Sequence, residues 1–98
     1  MSTKLISTSA EELFPRNSVR KSLIIQNEDG TDSAYIKRER SENTTVTATD
    51  HDFKIGPGAT LALNSLIDGA SAIKDRYTVI ASANTPRLAF FETEETDR

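Results

Sequence analysis

Tyr77-Thr78-Val79-Ile80-Ala81-Ser82, then Ala83-Asn84-Thr85-Pro86, then Arg87-Leu88-Ala89-Phe90-Phe91-Glu92: this stretch decides the fold class of the chain. Tyr77, Val79 and Ala81 alternate with Thr78, Ile80 and Ser82, the period of a half-buried strand, because successive strand side chains point to opposite faces. Asn84-Thr85-Pro86 turns the chain and Leu88 to Glu92 forms a second strand, so the segment reads as a hairpin. Phe90 and Phe91 are sequence neighbours and cannot share a face. One belongs in the core, and the other is a candidate contact with a partner.

Earlier in the chain the same logic recurs. Val19, Leu23 and Ile25 share a face, and Leu23-Ile24-Ile25 runs into the polar pair Gln26-Asn27, which marks a strand. Asp29-Gly30 supplies residues that tolerate a positive backbone angle, so Ala34-Tyr35-Ile36-Lys37 reads as the return strand of another hairpin. Thr45, Thr47 and Thr49 alternate within a polar segment that holds Val46, which favours an exposed strand over the alternative of a mobile loop. Phe53 and Ile55 alternate with Asp52 and Lys54 until Gly56-Pro57-Gly58 breaks the run. Leu61 to Ile73 fits two short strands around Asp68-Gly69, with a short helix through Leu63, Leu66, Ile67, Ala70 and Ile73 as the alternative.

The expected architecture is all-β: a small β-barrel or β-sandwich of six to eight short strands. Residues 1–15 read as an extended N-terminal arm, because Leu5-Ile6 and Leu13-Phe14 are its only apolar pairs and Pro15 ends any regular element. Residues 16–92 form the β-domain, and residues 93–98 read as a flexible acidic tail.

Composition narrows the functional classes. A chain of 98 residues holds one domain with a thin core. With 36% hydrophobic and 28% charged residues it is apolar-poor, which makes assembly with copies of itself an expectation. Without cysteine there is no disulfide framework and no thiolate metal or redox site. No segment approaches the roughly 20 apolar residues of a membrane-spanning helix, and residues 1–7 lack the apolar stretch of a signal peptide. The net charge of −3 gives no general field for nucleic acid, although Arg16, Arg20 and Lys21 are close together, as are Lys37, Arg38 and Arg40.

Catalytic chemistry has few candidates. His51, the only histidine, stands between Asp50 and Asp52, which on a strand would share the side that His51 does not. Gly56-Pro57-Gly58 lacks the Gly-Lys-Ser/Thr of a phosphate loop. Glu92, Glu94 and Glu95 lack the glycine and acid spacing of a calcium loop. The reading is therefore no catalytic, cofactor or metal site. Arg16 and Arg20 are either ordinary surface charge or clamps for a carboxylate, within the chain or across a subunit boundary.

The order of these features resembles a known group. Pro15-Arg16-Asn17-Ser18-Val19-Arg20 leads into Leu23-Ile24-Ile25-Gln26-Asn27, then Ala34-Tyr35-Ile36, then Phe53-Lys54-Ile55-Gly56-Pro57-Gly58, then the segments Tyr77 to Ser82 and Arg87 to Glu92. This is similar to the small β-structured virion proteins of tailed bacteriophages, of the capsid decoration (cement) and head-fibre types. The resemblance covers residues 13 to 92 and implies a β-barrel or sandwich, often trimeric, that docks on the outer capsid lattice without enzyme activity.

From that resemblance the major capsid protein is the expected partner, with a homotrimer as the expected oligomer and the virion surface as the location after synthesis in the host cytoplasm. The contact candidates are Leu5, Ile6, Leu13, Phe14, Arg16, Arg20, Phe90 and Phe91. The arm is expected to add a strand to a neighbour's sheet edge. A fibre, tail or baseplate module is the second reading. A small enzyme or carbohydrate-binding domain around His51 and residues 38–50 is the third.

Overall fold

The computed structural model describes residues 2–39, 46–64 and 74–94. Its eight described strands run in chain order as β1 (Ser2–Leu5), β2 (Glu11–Phe14), β3 (Arg20–Asn27), β4 (Ala34–Glu39), β5 (Phe53–Ile55), β6 (Thr60–Asn64), β7 (Arg76–Ala81) and β8 (Arg87–Glu94). They form two four-stranded antiparallel sheets of order β1-β8-β3-β6 and β2-β7-β4-β5, which do not close into a barrel. All-β is thus the observed class, and the arrangement is sandwich-like.

The strand order has a simple origin. The ladders β1–β8, β2–β7, β3–β6 and β4–β5 are nested antiparallel pairs, as though one long hairpin with its tip between β4 and β5 had been rolled up. Rolling adds the two lateral ladders, β3–β8 and β4–β7. This winding is that of the eight-stranded jelly roll.

Both expected hairpins are corrected by this topology. The strands are present, but β3 and β4 belong to opposite sheets, and so do β7 and β8. A turn residue reverses the chain without deciding whether the next strand hydrogen-bonds at about 4.8 Å or crosses to a sheet about 10 Å away. Gly30 does not adopt the positive φ expected of it; that conformation belongs to Gly58 (φ 74°) and to Asn84 (φ 55°) in the β7–β8 crossing. Gly56 to Ala59 makes a type II turn, with Pro57 second, Gly58 third and Ala59 N donating to Gly56 O at 3.0 Å.

The arm expected over residues 1–15 is corrected in the described residues, where 2–5 and 11–14 are strands of the two sheets. β1 is paired along its length with Leu88 to Phe90 and Arg87, and β2 is paired with Tyr77 to Val79. Thr93 and Glu94, assigned above to the tail, extend β8 against Ser22 and Arg20. Residues 46–49 carry no strand and Val46 is fully buried, so Thr47 and Thr49 lie in a loop anchored by one apolar residue, while Thr45 lies outside the described residues. The strand over 60–64 is present, whereas the Asp68-Gly69 turn, the helical alternative over 65–73 and residues 95–98 lie outside the described residues.

The core lies between the sheets. Leu23, Ile25, Leu63 and Leu88 come from one sheet, and Ile36, Ile55, Tyr77 and Val79 from the other. Burying each large side chain contributes roughly 1.5–3 kcal/mol before entropy is counted. The chain crossings gather at two ends. One end holds the crossings 6–10, 28–33, 56–59 and 82–86, of which 28–33 and 56–59 are tied together by Asn27, whose side chain is fully buried. Its Nδ2 donates to Asp32 O (2.8 Å) and Ile55 O (3.0 Å), and its Oδ1 accepts from Asp29 N (3.0 Å). The other end holds the 15–19 crossing, with Ser2 and Glu94 on adjacent strands of one sheet.

Candidate interaction surfaces

The second end is the most highly charged part of the described structure. Arg20 opens β3 with no exposed surface, which is rare for an arginine and requires that its donors be satisfied. Its Nε donates to Glu92 on the neighbouring strand, Nη1 to Asp75 O (2.8 Å) and Nη2 to Pro15 O (2.5 Å). The guanidinium carbon lies 5.2 Å from the centroid of the Phe14 ring and 5.9 Å from that of Tyr77, adding cation–π attraction. Of the two readings for Arg20, the intrachain clamp is the one the geometry shows.

Around it Arg38 pairs with Asp75 (2.5 Å) and Arg76 with Glu12 (2.7 Å), while Asn17 Nδ2 donates to Glu94 (2.9 Å). Glu39 is buried, with Oε2 accepting from Thr78 Oγ1 and lying 3.9 Å from Arg76 Nη1. Glu39 Oε1 and Arg76 Nη1 have no hydrogen-bond partner among the described residues. This network closes one end of the sandwich.

The contact candidates divide by burial. Ile6, Leu13 and Phe14 lie in the core, and Arg20 is enclosed, so none of these four presents a surface to a partner while the fold is intact. Arg16 is exposed and reaches Asp75 at 3.9 Å. Leu5 is 57% exposed. Phe90 packs inward, 5.4 Å from Phe14 in an edge-to-face arrangement, and Phe91 points outward at 38% exposure, as the strand geometry demands.

His51 does not gather its neighbours into a site. Its Nδ1 faces Thr47 O at 3.2 Å and its ring lies 4.6 Å from that of Tyr35. Asp50 instead accepts from Lys37 Nζ (2.6 Å), which holds the lysine pKa above its ordinary value. Asp52 accepts from Arg38 N (2.8 Å). No group of three or more potential metal ligands converges among the described residues.

The two outer sheet faces differ sharply. Outward rows on the sheet of β1, β8, β3 and β6 follow from the register: Thr3–Ala89–Gln26–Thr60, then Phe91–Ile24–Ala62, then Thr93–Ser22–Asn64, with Leu5–Arg87 at one end. Arg87 brings a charge to that end, where exposed Glu28 continues the row and its N donates to Arg87 O at 3.0 Å. The opposite sheet presents Glu12, Lys37, Lys54 and Arg76 among its outward residues.

No family model matches the chain, and no curated protein or solved structure matches it. The surfaces are therefore read from their own chemistry. An open groove of about 340 Å³ lies beside the end of β1, lined by Ser2, Leu13, Phe14, Pro15, Phe90, Phe91 and Glu92. There β8 runs four residues past its last β1 pair, so among the described residues Phe91 to Glu94 are paired on the β3 side only. A second open groove of about 430 Å³ is lined by Leu5, Glu28, Asp29, Thr85 and Arg87.

Sequence reasoning found Phe91 but missed the uncharged face around it. Its signal was present in the alternation of Ser22, Ile24 and Gln26 with Leu23 and Ile25, which becomes a surface only when the pairing of β3 with β6 and β8 is known.

Proposed function

We propose that this chain is a bacteriophage capsid decoration (cement) protein, a binding module that attaches to the major capsid protein on the outer lattice and stabilises the head without catalysis. The observation that carries the reading is the strand order β1-β8-β3-β6 over β2-β7-β4-β5, the jelly-roll winding used by virion building blocks. The same architecture serves lectins and cupins. A cupin-type metal set draws on several histidines, and this sequence has one.

The attachment mechanism is reversed from the one expected of a free arm. Since residues 2–5 and 11–14 already belong to the sheets, a capsid segment adds to this protein, entering the groove beside Phe91 to Glu94 and pairing with the stretch of β8 that has no β1 partner among the described residues. Backbone hydrogen bonds supply affinity and the rings of Phe90 and Phe91 select an apolar side chain. A capsid repeats this site many times, so modest affinity per copy becomes strong retention wherever copies are linked.

Quantitative mass spectrometry of purified particles of the phage that encodes the chain tests the reading. Hundreds of copies per head, with heads that rupture at lower temperature when the protein is absent, are the expected result. A few to a few dozen copies would overturn it in favour of a fibre, tail or baseplate module. Absence from the particle would overturn both virion readings.

A further inference from the structure

We infer that the outer edge of β6 pairs antiparallel with the β6 edge of a second copy, joining two four-stranded sheets into one across a two-fold axis at Ala62. The inference does not depend on the virion reading, because it rests on this edge alone.

The hydrogen-bond pattern shows what the edge offers. Asn27 N donates to Ala59 O at 2.9 Å and Asn27 O accepts from Gly58 N at 3.0 Å, so Asn27 turns its peptide groups toward the β6 side. Alternate residues of a strand bond to the same side, so Ile25 and Leu23 turn theirs toward Leu61 and Leu63. The N–H and C=O groups of Thr60 and Ala62 then point the other way, where no described strand pairs with β6.

Composition singles out this edge among the four. Edge strands commonly carry charge, which opposes pairing with another chain. Here β1 carries Lys4, β2 carries Glu11 and Glu12, and β5 carries Lys54. The five residues of β6, Thr60-Leu61-Ala62-Leu63-Asn64, carry none.

The order of those residues selects the occupant. Read from either end, β6 runs polar, Leu, Ala, Leu, polar, so an antiparallel copy of itself matches it position by position. Centred on Ala62, the pairing sets the two exposed Ala62 residues opposite each other, Leu61 opposite the partner's Leu63, and Thr60 opposite the partner's Asn64. The two Ala62 residues exchange N–H···O=C bonds directly across the axis. Leu61 packs against the core but is only half-buried, and Leu63 is 5% exposed. Side by side they continue the apolar layer of one sandwich into the next. A centre one residue to either side would pair only three of the five strand residues. Isologous contact of this kind makes a pair, so the trimer implied by the resemblance would need a different surface.

Size sets the strength. A joint one strand wide and about 17 Å long buries less than the roughly 800 Å² per partner of a stable complex. The pair is therefore expected to dissociate between micromolar and millimolar concentration.

Sedimentation equilibrium and amide exchange over that range test the proposal together. The expected result is a reversible monomer–dimer equilibrium in which the Ala62 amide exchanges more slowly as concentration rises. Ala62→Pro removes the outward donor but no bond to β3, and is expected to weaken the dimer at least about tenfold with an unchanged circular dichroism spectrum. Ala62→Lys keeps the donor, sets like charges directly opposite each other and is expected to weaken the dimer several-fold; it decides the matter if the proline variant does not fold. A monomer throughout the range, a trimer, a dimer that either folded variant leaves unweakened, or an Ala62 amide indifferent to concentration would each overturn the inference.

Discussion

Arg20 sits wholly inside the protein and donates its Nε to half-buried Glu92 on the adjacent strand β8, so the sheet is joined at that end by an ion pair as well as by its ladder. Truncation to Arg20→Ala leaves the Glu92 carboxylate without its guanidinium and two carbonyls, Pro15 O and Asp75 O, without their donor. The expected loss is about 3–5 kcal/mol in urea unfolding. Arg20→Lys keeps the charge but not the three-way fork and is expected to recover only part of that loss. Full recovery by lysine would show that charge alone matters here.

Gly58 and Gly30 form a matched pair for testing backbone strain. An added Cβ meets nothing within 4 Å at either position, but only Gly58 has positive φ. Gly58→Ala is therefore expected to destabilise by about 1–2 kcal/mol, whereas Gly30→Ala is expected to be neutral or to stabilise by up to about 1 kcal/mol through the unfolded state. Equal effects in chemical denaturation would contradict the turn geometry.

Asp29 accepts backbone hydrogen bonds from Asp32 N (2.7 Å) and Thr31 N (2.9 Å), which lower its pKa from 3.8. The contribution of its carboxylate to stability is present above the unfolded value and lost as pH falls through the lower folded value. The stability difference between the native protein and Asp29→Asn should thus be constant near neutrality and shrink below pH 3.8. A difference unchanged down to the acid limit would remove Asp29 from the account.

Nested ladders make every described pairing long-range, with that of β4 and β5 the least distant in sequence. Folding in milliseconds to seconds is expected, nucleated at the tip where Ile36 pairs with Phe53. In a chevron analysis Ile36→Val should chiefly slow refolding, and Leu88→Ala, in the outermost ladder, should chiefly speed unfolding. The opposite partition would place the nucleus at the chain ends.

Most strands were legible in the sequence because alternation is local: Leu23 and Ile25, or Tyr77 and Val79, declare a buried face without reference to any partner. Pairing was not, because Asp29-Gly30 and Asn84-Thr85-Pro86 say only that the chain turns. Their strands find partners far along the chain, as Ile24 does with Phe91. β1 and β2 were read as an arm for a related reason. β1 buries none of its residues and β2 only the pair Leu13–Phe14, and both are held by edges that other segments provide. Arg20 was the hardest to place, since nothing local distinguishes an enclosed arginine from a solvated one.

The β1–β8 ladder puts Ser2 opposite Phe90 while β8 continues to Glu94, which sets the start of β1 and the end of β8 at one corner of the sandwich, away from the end where the crossings 6–10, 28–33, 56–59 and 82–86 gather. A label placed at that corner would report on both strands at once without touching the loops that hold the opposite end closed.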